Sequence, residues 1–598
     1  MIVRPDLARF VVAAGASACG RRGSTANSMP VIRARAPGQL KEPGEPMFSP
    51  SFRTPRRQVS IRDVLASVAG LLVLASAGPS AAAACEGLRD LKLPDTVIKS
   101  AEVTSAGGFA GLGAVRTPDL PAFCRVVASV KTAPGSDVGV EVWLPLQGWQ
   151  GVFHGNGNGG FGGVLASGYG PMTAGLRRGY ATAVTDTGTS PATPLEGDAL
   201  IGQPQKWRDW GRRSTHAMTV AGKAIAAAFY GAPVRRAYYT GCSTGGQEGL
   251  IEAQYYPDDY DGILVGAPVI NRTWGHGAVL WDDLAANLRP GHRLSDLKLR
   301  LLGNAALARC SAAGSGLGGD PFVADPKACR FDPGVLACRD GDRNDCLTAQ
   351  EVATARAFYS GPVSKAGRPL FHGWLPGSEA TGQFDWAFLQ SRPDDQPPFV
   401  SLFKWVFGRD WDWSGFQVER DMARVDAALG PVVNDATRGN LRAFRARGGK
   451  LIIYHGWADS LVPPDQTVAF YDRVARDAGG VAQAQGFARL FMVPGYSHCG
   501  GGAGPDVFNS ATGSAVPPPS TTPQHDLFAA LADWVEAGTA PRQVVATRYA
   551  DRSPAKGVAM QRPLCAYPAK AWWRGAGDTN AAASFVCSTS KPTQAQRP

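Results

Sequence analysis

The sequence predicts an α/β fold whose mostly parallel sheet is interrupted by a large insertion. Apolar runs typical of strands alternate with helical segments in two separate regions of the 598-residue chain. This alternation favours a parallel sheet with helices on both faces. Between residues 271 and 445 the alternation stops, and Gly, Pro, Cys and Trp become frequent. We divide the chain into an export region (1–84), a first core part (85–271), an inserted domain (272–445) and a second core part with a tail (446–598).

Five strands are predicted in the first core part and two in the second. They are VGVEVWLP (138–145), WQGVFHG (149–155), YATAVTD (180–186), RAYYTGC (236–242), GILVGAP (262–268), KLIIYHG (450–456) and ARLFMVPG (488–495). Helices are predicted at 216–231 and 525–538 from their apolar spacing. The insertion is expected to contain short helical pieces such as 347–361. The tail from about Ala550 is expected to be held to the core by its cysteines.

The N-terminal region has the composition of a secretory signal. Four arginines between residues 53 and 62 precede the apolar run 64–78, and small residues then lead to Ala84 and Cys85. The apolar run is shorter than the ~20 residues that a membrane span needs. We therefore predict cleavage near Ala84 and no membrane span. Ten cysteines follow this point, and an even number in an exported chain indicates disulfides in a secreted or periplasmic protein.

The net charge of +11 is concentrated at the N-terminus. The first 84 residues carry +7 of it, so the rest of the chain carries only +4. A nucleic-acid-binding protein needs a much stronger basic surface. No nucleic-acid partner is therefore predicted.

Residues 241–245, GCSTG, match the G-x-S-x-G pattern directly after a predicted strand. In that context the glycines permit a sharp strand-to-helix turn that exposes the serine hydroxyl. We predict Ser243 as a nucleophile. The backbone N–H of Thr244 would then point toward the oxyanion that develops during acyl transfer.

Two later loops supply the partners that a nucleophilic serine needs. Asp459 follows the strand KLIIYHG, and His498 lies 39 residues further on, in a glycine-rich loop after the next strand. A serine hydroxyl is a poor nucleophile without an adjacent base. We predict His498 as that base and Asp459 as the acid that orients it. The other seven histidines, including His455, are expected to be structural or on the surface.

The cysteines next to these residues predict a disulfide. Cys242 immediately precedes Ser243, and Cys499 immediately follows His498. If serine and histidine hydrogen-bond, their sequence neighbours must lie close in space. A Cys242–Cys499 bridge would then hold the nucleophile beside the base. The chain order Ser, Asp, His is the order found in α/β-hydrolases.

The GCSTGG segment, the Asp459 loop and the SHC segment resemble the tannase and feruloyl esterase family, which includes mono(hydroxyethyl) terephthalate hydrolases. The resemblance extends from about Cys85 to Cys587 and implies an α/β-hydrolase core with a large inserted lid domain. It implies that the glycine loop 155–163 provides the second oxyanion N–H, from Gly160 or from Gly159. It also implies four further disulfides: Cys85–Cys124, Cys310–Cys329, Cys338–Cys346 and Cys565–Cys587.

Members of this family usually bind a structural calcium between the cysteines that match Cys310 and Cys329. Only Asp320 and Asp325 remain there, whereas Ca²⁺ takes six to eight oxygen ligands. Structural calcium at these two residues is an open but disfavoured alternative, and no cofactor is expected in catalysis. A second acidic run, 340–351, is expected to be an acidic turn and a helix start rather than an EF-hand.

The insertion is rich in Trp and Phe, which suits stacking on an aromatic acyl group. The resemblance implies a secreted serine esterase, a carboxylic ester hydrolase acting on a small aromatic ester of feruloyl or galloyl type. Two alternatives remain. One is hydrolysis of a terephthalate half-ester, and the other is a non-catalytic extracellular binding module, which would have a broken triad.

Overall fold

The computed structural model describes residues 81–111, 119–190, 194–314, 316–392, 395–512 and 516–592. The described residues belong to one compact unit. The structure does not describe residues 1–80, and most of the predicted export signal therefore lies outside the described residues. No helix in the described ranges is long and apolar enough to cross a membrane.

The strands form one large sheet and two small ones. They are β1 (Thr96–Thr104), β2 (Phe123–Val130), β3 (Val138–Pro145), β4 (Val152–Asn156), β5 (Ala181–Thr185), β6 (Arg236–Cys242), β7 (Gly262–Gly266), β8 (Lys450–Gly456), β9 (Ala488–Val493), β10 (Gln543–Tyr549), β11 (Val558–Cys565), β12 (Lys570–Trp573) and β13 (Phe585–Ser588). All seven strands expected from the sequence are present, as β3 to β9. The sequence analysis missed β1 and β2 of the large sheet and β10 to β13 of the small ones.

The α-helices are most numerous between β7 and β8. They are α1 (Ala81–Gly87), α2 (Tyr169–Arg177), α3 (Pro204–Arg208), α4 (Ser214–Tyr230), α5 (Thr244–Tyr255), α6 (Arg272–Asn287), α7 (Asp296–Ala312), α8 (Ala349–Ser360), α9 (Trp386–Leu389), α10 (Ser401–Phe407), α11 (Val418–Val433), α12 (Arg442–Ala446), α13 (Pro464–Ala478), α14 (Val481–Ala484) and α15 (Leu527–Glu536).

The large sheet has the strand order β1-β2-β3-β5-β4-β6-β7-β8-β9. The six strands from β5 to β9 in this order pair in parallel, while β1, β2 and β3 form an antiparallel extension that joins β5. The predicted α/β-hydrolase core, with a mostly parallel sheet covered by helices, is therefore confirmed. Strands β7 and β8 are neighbours, although the whole inserted region separates them in sequence.

Alternate residues of the central strands enter two different hydrophobic layers. Tyr239 and Ile453 belong to the layer covered by α4, α5 and α13, whereas Tyr238 and Ile452 belong to the layer covered by α15. This alternation follows from the two-residue period of a strand. Because both faces are covered, these strands read as continuous apolar runs in the sequence.

The region between β7 and β8 has its own aromatic core, which includes Trp374, Trp386 and Phe403. Its helices are longer than the short pieces that the sequence analysis expected, since α6, α7 and α11 have 16, 17 and 16 residues. Glycines in α6 obscured this helix, because glycine lowers intrinsic helix propensity. A Cβ at Gly277 would lie 2.8 Å from the sulfur of Met422 in α11, so glycine permits close packing of the two helices.

The tail lies against the β9 edge of the large sheet. Ala566 forms an antiparallel bridge with Phe491, and the amide of Tyr567 donates to the carbonyl of Leu490 at 2.8 Å. The Cys565–Cys587 disulfide closes the tail on itself by linking β11 to β13, so the expectation that these cysteines hold the tail to the core is wrong. The tail therefore covers the edge of the sheet that β9 would otherwise expose.

Candidate active site

Ser243 lies in the turn between β6 and α5, at the carboxyl edge of the sheet. Its backbone is strained, with φ +62° and ψ −118°, a conformation that non-glycine residues rarely adopt. The flanking glycines allow the turn, since a Cβ at Gly241 would lie 2.5 Å from the carbonyl oxygen of Gly245. The strand, the sharp turn and the helix follow one another as the sequence predicted.

Asp459 follows β8 and is completely buried. Its Oδ1 accepts hydrogen bonds from the amides of Leu461 at 2.8 Å and Val462 at 2.9 Å. Its Oδ2 accepts from Nδ1 of His498 at 2.8 Å. Burial alone would raise the pKa of this carboxyl, but the neighbouring imidazoles of His498 and His455 hold it well below its usual range.

His455 is a site residue that the sequence analysis missed. Its Nε2 lies 3.1 Å from Oδ2 of Asp459 and 3.1 Å from the carbonyl oxygen of Val462. Both partners are acceptors, so Nε2 carries the hydrogen and Nδ1 accepts from the hydroxyl of Thr467 at 2.8 Å. His455 and His498 therefore both bind Oδ2 of Asp459. The sequence did carry one signal for this role: His455 and Asp459 are four residues apart, on either side of the end of β8.

His498 has the orientation that a base needs toward Asp459. Nδ1 carries the hydrogen that bonds to the carboxylate, so in the neutral ring Nε2 has a free lone pair. Nε2 is buried and has no hydrogen-bond partner among the described residues. It makes no hydrogen bond to Ser243, although both residues line one cavity. Such bonds are often long in structures without substrate.

The predicted Cys242–Cys499 disulfide is present, with the two Cα atoms 5.9 Å apart. It links the residue before the nucleophile to the residue after the base. The four disulfides implied by the family resemblance are also present: Cys85–Cys124, Cys310–Cys329, Cys338–Cys346 and Cys565–Cys587.

Thr244 and Gly160, the two residues predicted to form the oxyanion hole, are in direct contact. The hydroxyl of Thr244 donates to the carbonyl of Gly160 at 2.7 Å. The backbone N–H groups of both residues have no acceptor within the described ranges, and Thr244 is in the first turn of α5, where N–H groups lack intrahelical partners. Gly160 has φ +54°, and a Cβ there would lie 1.9 Å from the carbonyl oxygen of Pro194. Only glycine fits this position. Gly159 has open space around its Cα.

Arg272, at the start of α6, is a second residue that the sequence analysis missed. The buried guanidinium donates to the hydroxyl of Thr244 at 3.0 Å and to Oε1 of Gln247, and it lies over the Trp210 ring. Burial lowers its pKa to about 9. Its position just beyond β7, at the carboxyl edge of the sheet where α/β proteins bind ligands, was a usable signal.

The cavity over Ser243 has a volume of about 340 Å³, which suits a small ligand. Ser243 and His498 lie on its wall beside apolar side chains that include Phe384, Phe399 and Leu461. The ring of Phe384 packs edge-on against the imidazole of His498, with centroids 5.7 Å apart. Described residues contribute no Lys or Arg to this wall.

Each of the two candidate calcium ligands has a cationic partner. Asp320 Oδ1 lies 2.6 Å from Nη2 of Arg562, and Asp325 pairs with Lys570. Neither belongs to a group of three metal-ligating side chains within the described ranges. In the second acidic run, Thr348 and Glu351 form a capping box at the start of α8, so the expected helix start is confirmed.

Comparisons with known proteins show which proteins this chain resembles. The family model described as "Tannase and feruloyl esterase" matches residues 124–588. An uncharacterized esterase of Xanthomonas campestris is 37% identical over 558 residues, covering 88% of this chain and 93% of that protein. The mono(2-hydroxyethyl) terephthalate hydrolase of Piscinibacter sakaiensis is 33% identical and covers 84% and 91%. The crystal structure of feruloyl esterase B from Aspergillus oryzae superposes with a TM-score of 0.76 at 26% identity, covering 85% of this chain and 100% of that one.

Proposed function

Because the chain belongs to the tannase and feruloyl esterase family and is a carboxylic ester hydrolase, we propose that it cleaves esters of aromatic carboxylic acids of feruloyl or galloyl type. The reaction proceeds through an acyl-enzyme on Ser243. The observation that carries this proposal is the buried pair of Asp459 and His498, whose free Nε2 lines the same cavity as the strained serine.

In the proposed mechanism, His498 Nε2 takes the proton of Ser243 as its Oγ attacks the ester carbonyl. Asp459 keeps the imidazole in the required tautomer and stabilises the imidazolium that forms. The amides of Thr244 and Gly160 donate to the oxyanion of the tetrahedral intermediate. His498 then protonates the leaving alcohol. In the second half of the reaction, His498 takes a proton from a water molecule that attacks the acyl-enzyme, and it returns this proton to Ser243 as the acid leaves. No cofactor takes part.

The wall of the cavity favours an uncharged aromatic acyl group. Phe384 and Phe399 offer ring contacts. Arg272 lines an adjoining space beside Ser243, but its guanidinium is already bound to Thr244 and Gln247. Lys404 of the insertion is not free to pair with a substrate carboxylate, because it is buried and its ammonium is bound to Asp198 and Gln396. Hydroxycinnamoyl and galloyl groups carry no charge on the ring, whereas a terephthalate half-ester carries a carboxylate. The half-ester remains the second candidate because of the 33% identical hydrolase.

We also propose that the protein works outside the cytoplasm, in the periplasm or after secretion. Five disulfides in the described part of the chain support this, since disulfides form and persist in oxidising compartments. The signal-like composition of residues 53–84 supports it independently.

The test compares the protein lacking residues 1–84 with its Ser243→Ala variant on methyl ferulate, methyl gallate and mono(2-hydroxyethyl) terephthalate. The proposal expects the parent to hydrolyse one or both of the uncharged esters fastest and the variant to lose this activity. Faster turnover of the terephthalate ester would favour the second candidate. Absence of turnover in the parent, with binding of the esters retained, would favour a non-catalytic binding module.

A further inference from the structure

Three potential metal ligands meet on the face of the sheet that α4 and α5 cover, away from the cavity over Ser243. His216 is in α4, Glu252 is in the last turn of α5, and Asp259 is in the turn before β7. One ligand atom from each lies within 4.8 Å of the other two, and His216 Nδ1 is 2.6 Å from Asp259 Oδ2. Within the described ranges these residues are the one group of three with this geometry. We refer to them as the His216 cluster.

Glu252 is the member of the cluster that calls for a bound cation. The side chain is fully buried, and no donor among the described residues bonds to either carboxylate oxygen; its side-chain contact is the carboxylate of Asp259. One turn earlier on α5, the buried Glu248 accepts from the hydroxyl of Tyr239 at 2.8 Å. The ammonium of Lys223, the nearby cation, donates to the backbone carbonyl of Asp259 instead. A buried carboxylate without a partner is costly and is expected to be paired or to coordinate a metal.

We propose that His216, Glu252 and Asp259 bind a divalent transition-metal ion, with Zn²⁺ as the reference ion. One imidazole nitrogen and two carboxylate oxygens form a donor set that suits Zn²⁺. Ca²⁺ takes six to eight oxygen ligands, which these side chains do not provide. Zn²⁺ binds nitrogen and carboxylate oxygen at about 2.0–2.2 Å, so the cluster needs only small side-chain movements around an ion. A water molecule completes the coordination.

The surroundings of the cluster support a structural site with access from solvent. The His216 side chain is 37% exposed, so an ion can enter from that side. Its ring stacks on Tyr256 with centroids 3.9 Å apart, which fixes the plane of the imidazole. The ion would tie α4 and the end of α5 to the turn before β7. Because Ser243 lies at the opposite end of α5, the ion affects folding stability and is not a participant in the ester cleavage.

The experiment uses the protein lacking residues 1–84, treated with EDTA and then dialysed, with Zn²⁺ alone as the probe. Calorimetric titration is expected to find one equivalent bound per chain, and Zn²⁺ is expected to raise Tm by about 2–4 °C. His216→Ala and Glu252→Gln are expected to lose both effects. His292→Ala, which removes a half-buried histidine of the insertion, is the matched control and keeps them. Ca²⁺ at the same concentrations is expected to leave Tm unchanged.

Two results would overturn the proposal. The first is that the parent binds no Zn²⁺, which would mean that Glu252 shares a proton with Asp259 instead. The second is that His216→Ala binds Zn²⁺ as the parent does, which would locate the ion elsewhere. His216 is partly exposed, so this variant is expected to fold even if Glu252→Gln does not. The Ser243→Ala protein should bind Zn²⁺ like the parent, so the result is independent of the esterase proposal.

Discussion

The disulfide between Cys242 and Cys499 is expected to matter for catalysis as well as for stability. It closes a loop of 257 residues, whereas Cys338–Cys346 closes one of only 8. Chain entropy predicts a stabilisation of about 5.5 kcal/mol for the long loop and about 2.5 kcal/mol for the short one. The double variants Cys242→Ala/Cys499→Ala and Cys338→Ala/Cys346→Ala therefore test the same type of bond at two distances from Ser243.

The two variants are expected to differ most in kcat. Removing the bridge next to the nucleophile lets Ser243 and His498 drift apart, and a misplacement of about 1 Å costs about 10²-fold in rate. The short-loop variant should keep the parent kcat. Guanidinium unfolding measures stability. Steady-state hydrolysis of the preferred ester, under conditions in which each protein is fully folded, measures kcat. Equal kcat values in both variants would refute the idea that the bridge positions the catalytic pair.

Three further perturbations test individual contacts at the site. His455→Ala should lower kcat about tenfold with little change in KM, because Asp459 loses a hydrogen bond worth about 1.5–3 kcal/mol. His292→Ala is the control. An unchanged kcat in His455→Ala would contradict the positioning role of His455. The pKa of Asp459 is lowered in the folded protein, so its stabilisation is complete above the ordinary pKa near 3.9 and is lost as the pH falls below it. The parent should therefore lose more Tm than Asp459→Asn between pH 6 and pH 3, and parallel losses would speak against a charged, stabilising carboxylate. Arg272→Met should lower kcat about tenfold, since the hydroxyl of Thr244 loses a charged donor, and a variant with parental kcat would show that this bond is dispensable.

The central parallel sheet could be predicted because its strands are buried on both faces. Such strands form continuous apolar runs that stand out in a sequence, and β3, β6 and β8 have the predicted bounds. Strands β1 and β2 were missed. β1 carries Lys99 and Glu102 among its apolar residues, and its alternating burial gives a weaker pattern. The helices of the insertion were underestimated because packing, as at Gly277 against Met422, overrides low helix propensity.

The candidate site was predictable where a residue type is tied to a local motif. The turn at Ser243 and the loops after β8 and β9 carry such motifs, and the neighbouring cysteines predicted the bridge. His455 and Arg272 were not found because their roles depend on contacts across the fold. A histidine at the end of a buried strand has the same local pattern whether it packs or binds a carboxylate. The bond from Arg272 to Thr244 joins residues that are 28 positions apart.

The most direct test of the account is to identify the residue that a serine-directed fluorophosphonate modifies. Peptide mass spectrometry of the treated protein should find one phosphonylated residue, Ser243, with no label in the Ser243→Ala variant. Labelling of His498→Ala should be much slower, because the serine then lacks its base. A label on another residue, or equal labelling of the parent and His498→Ala, would contradict the assignment of Ser243 as a nucleophile activated by His498.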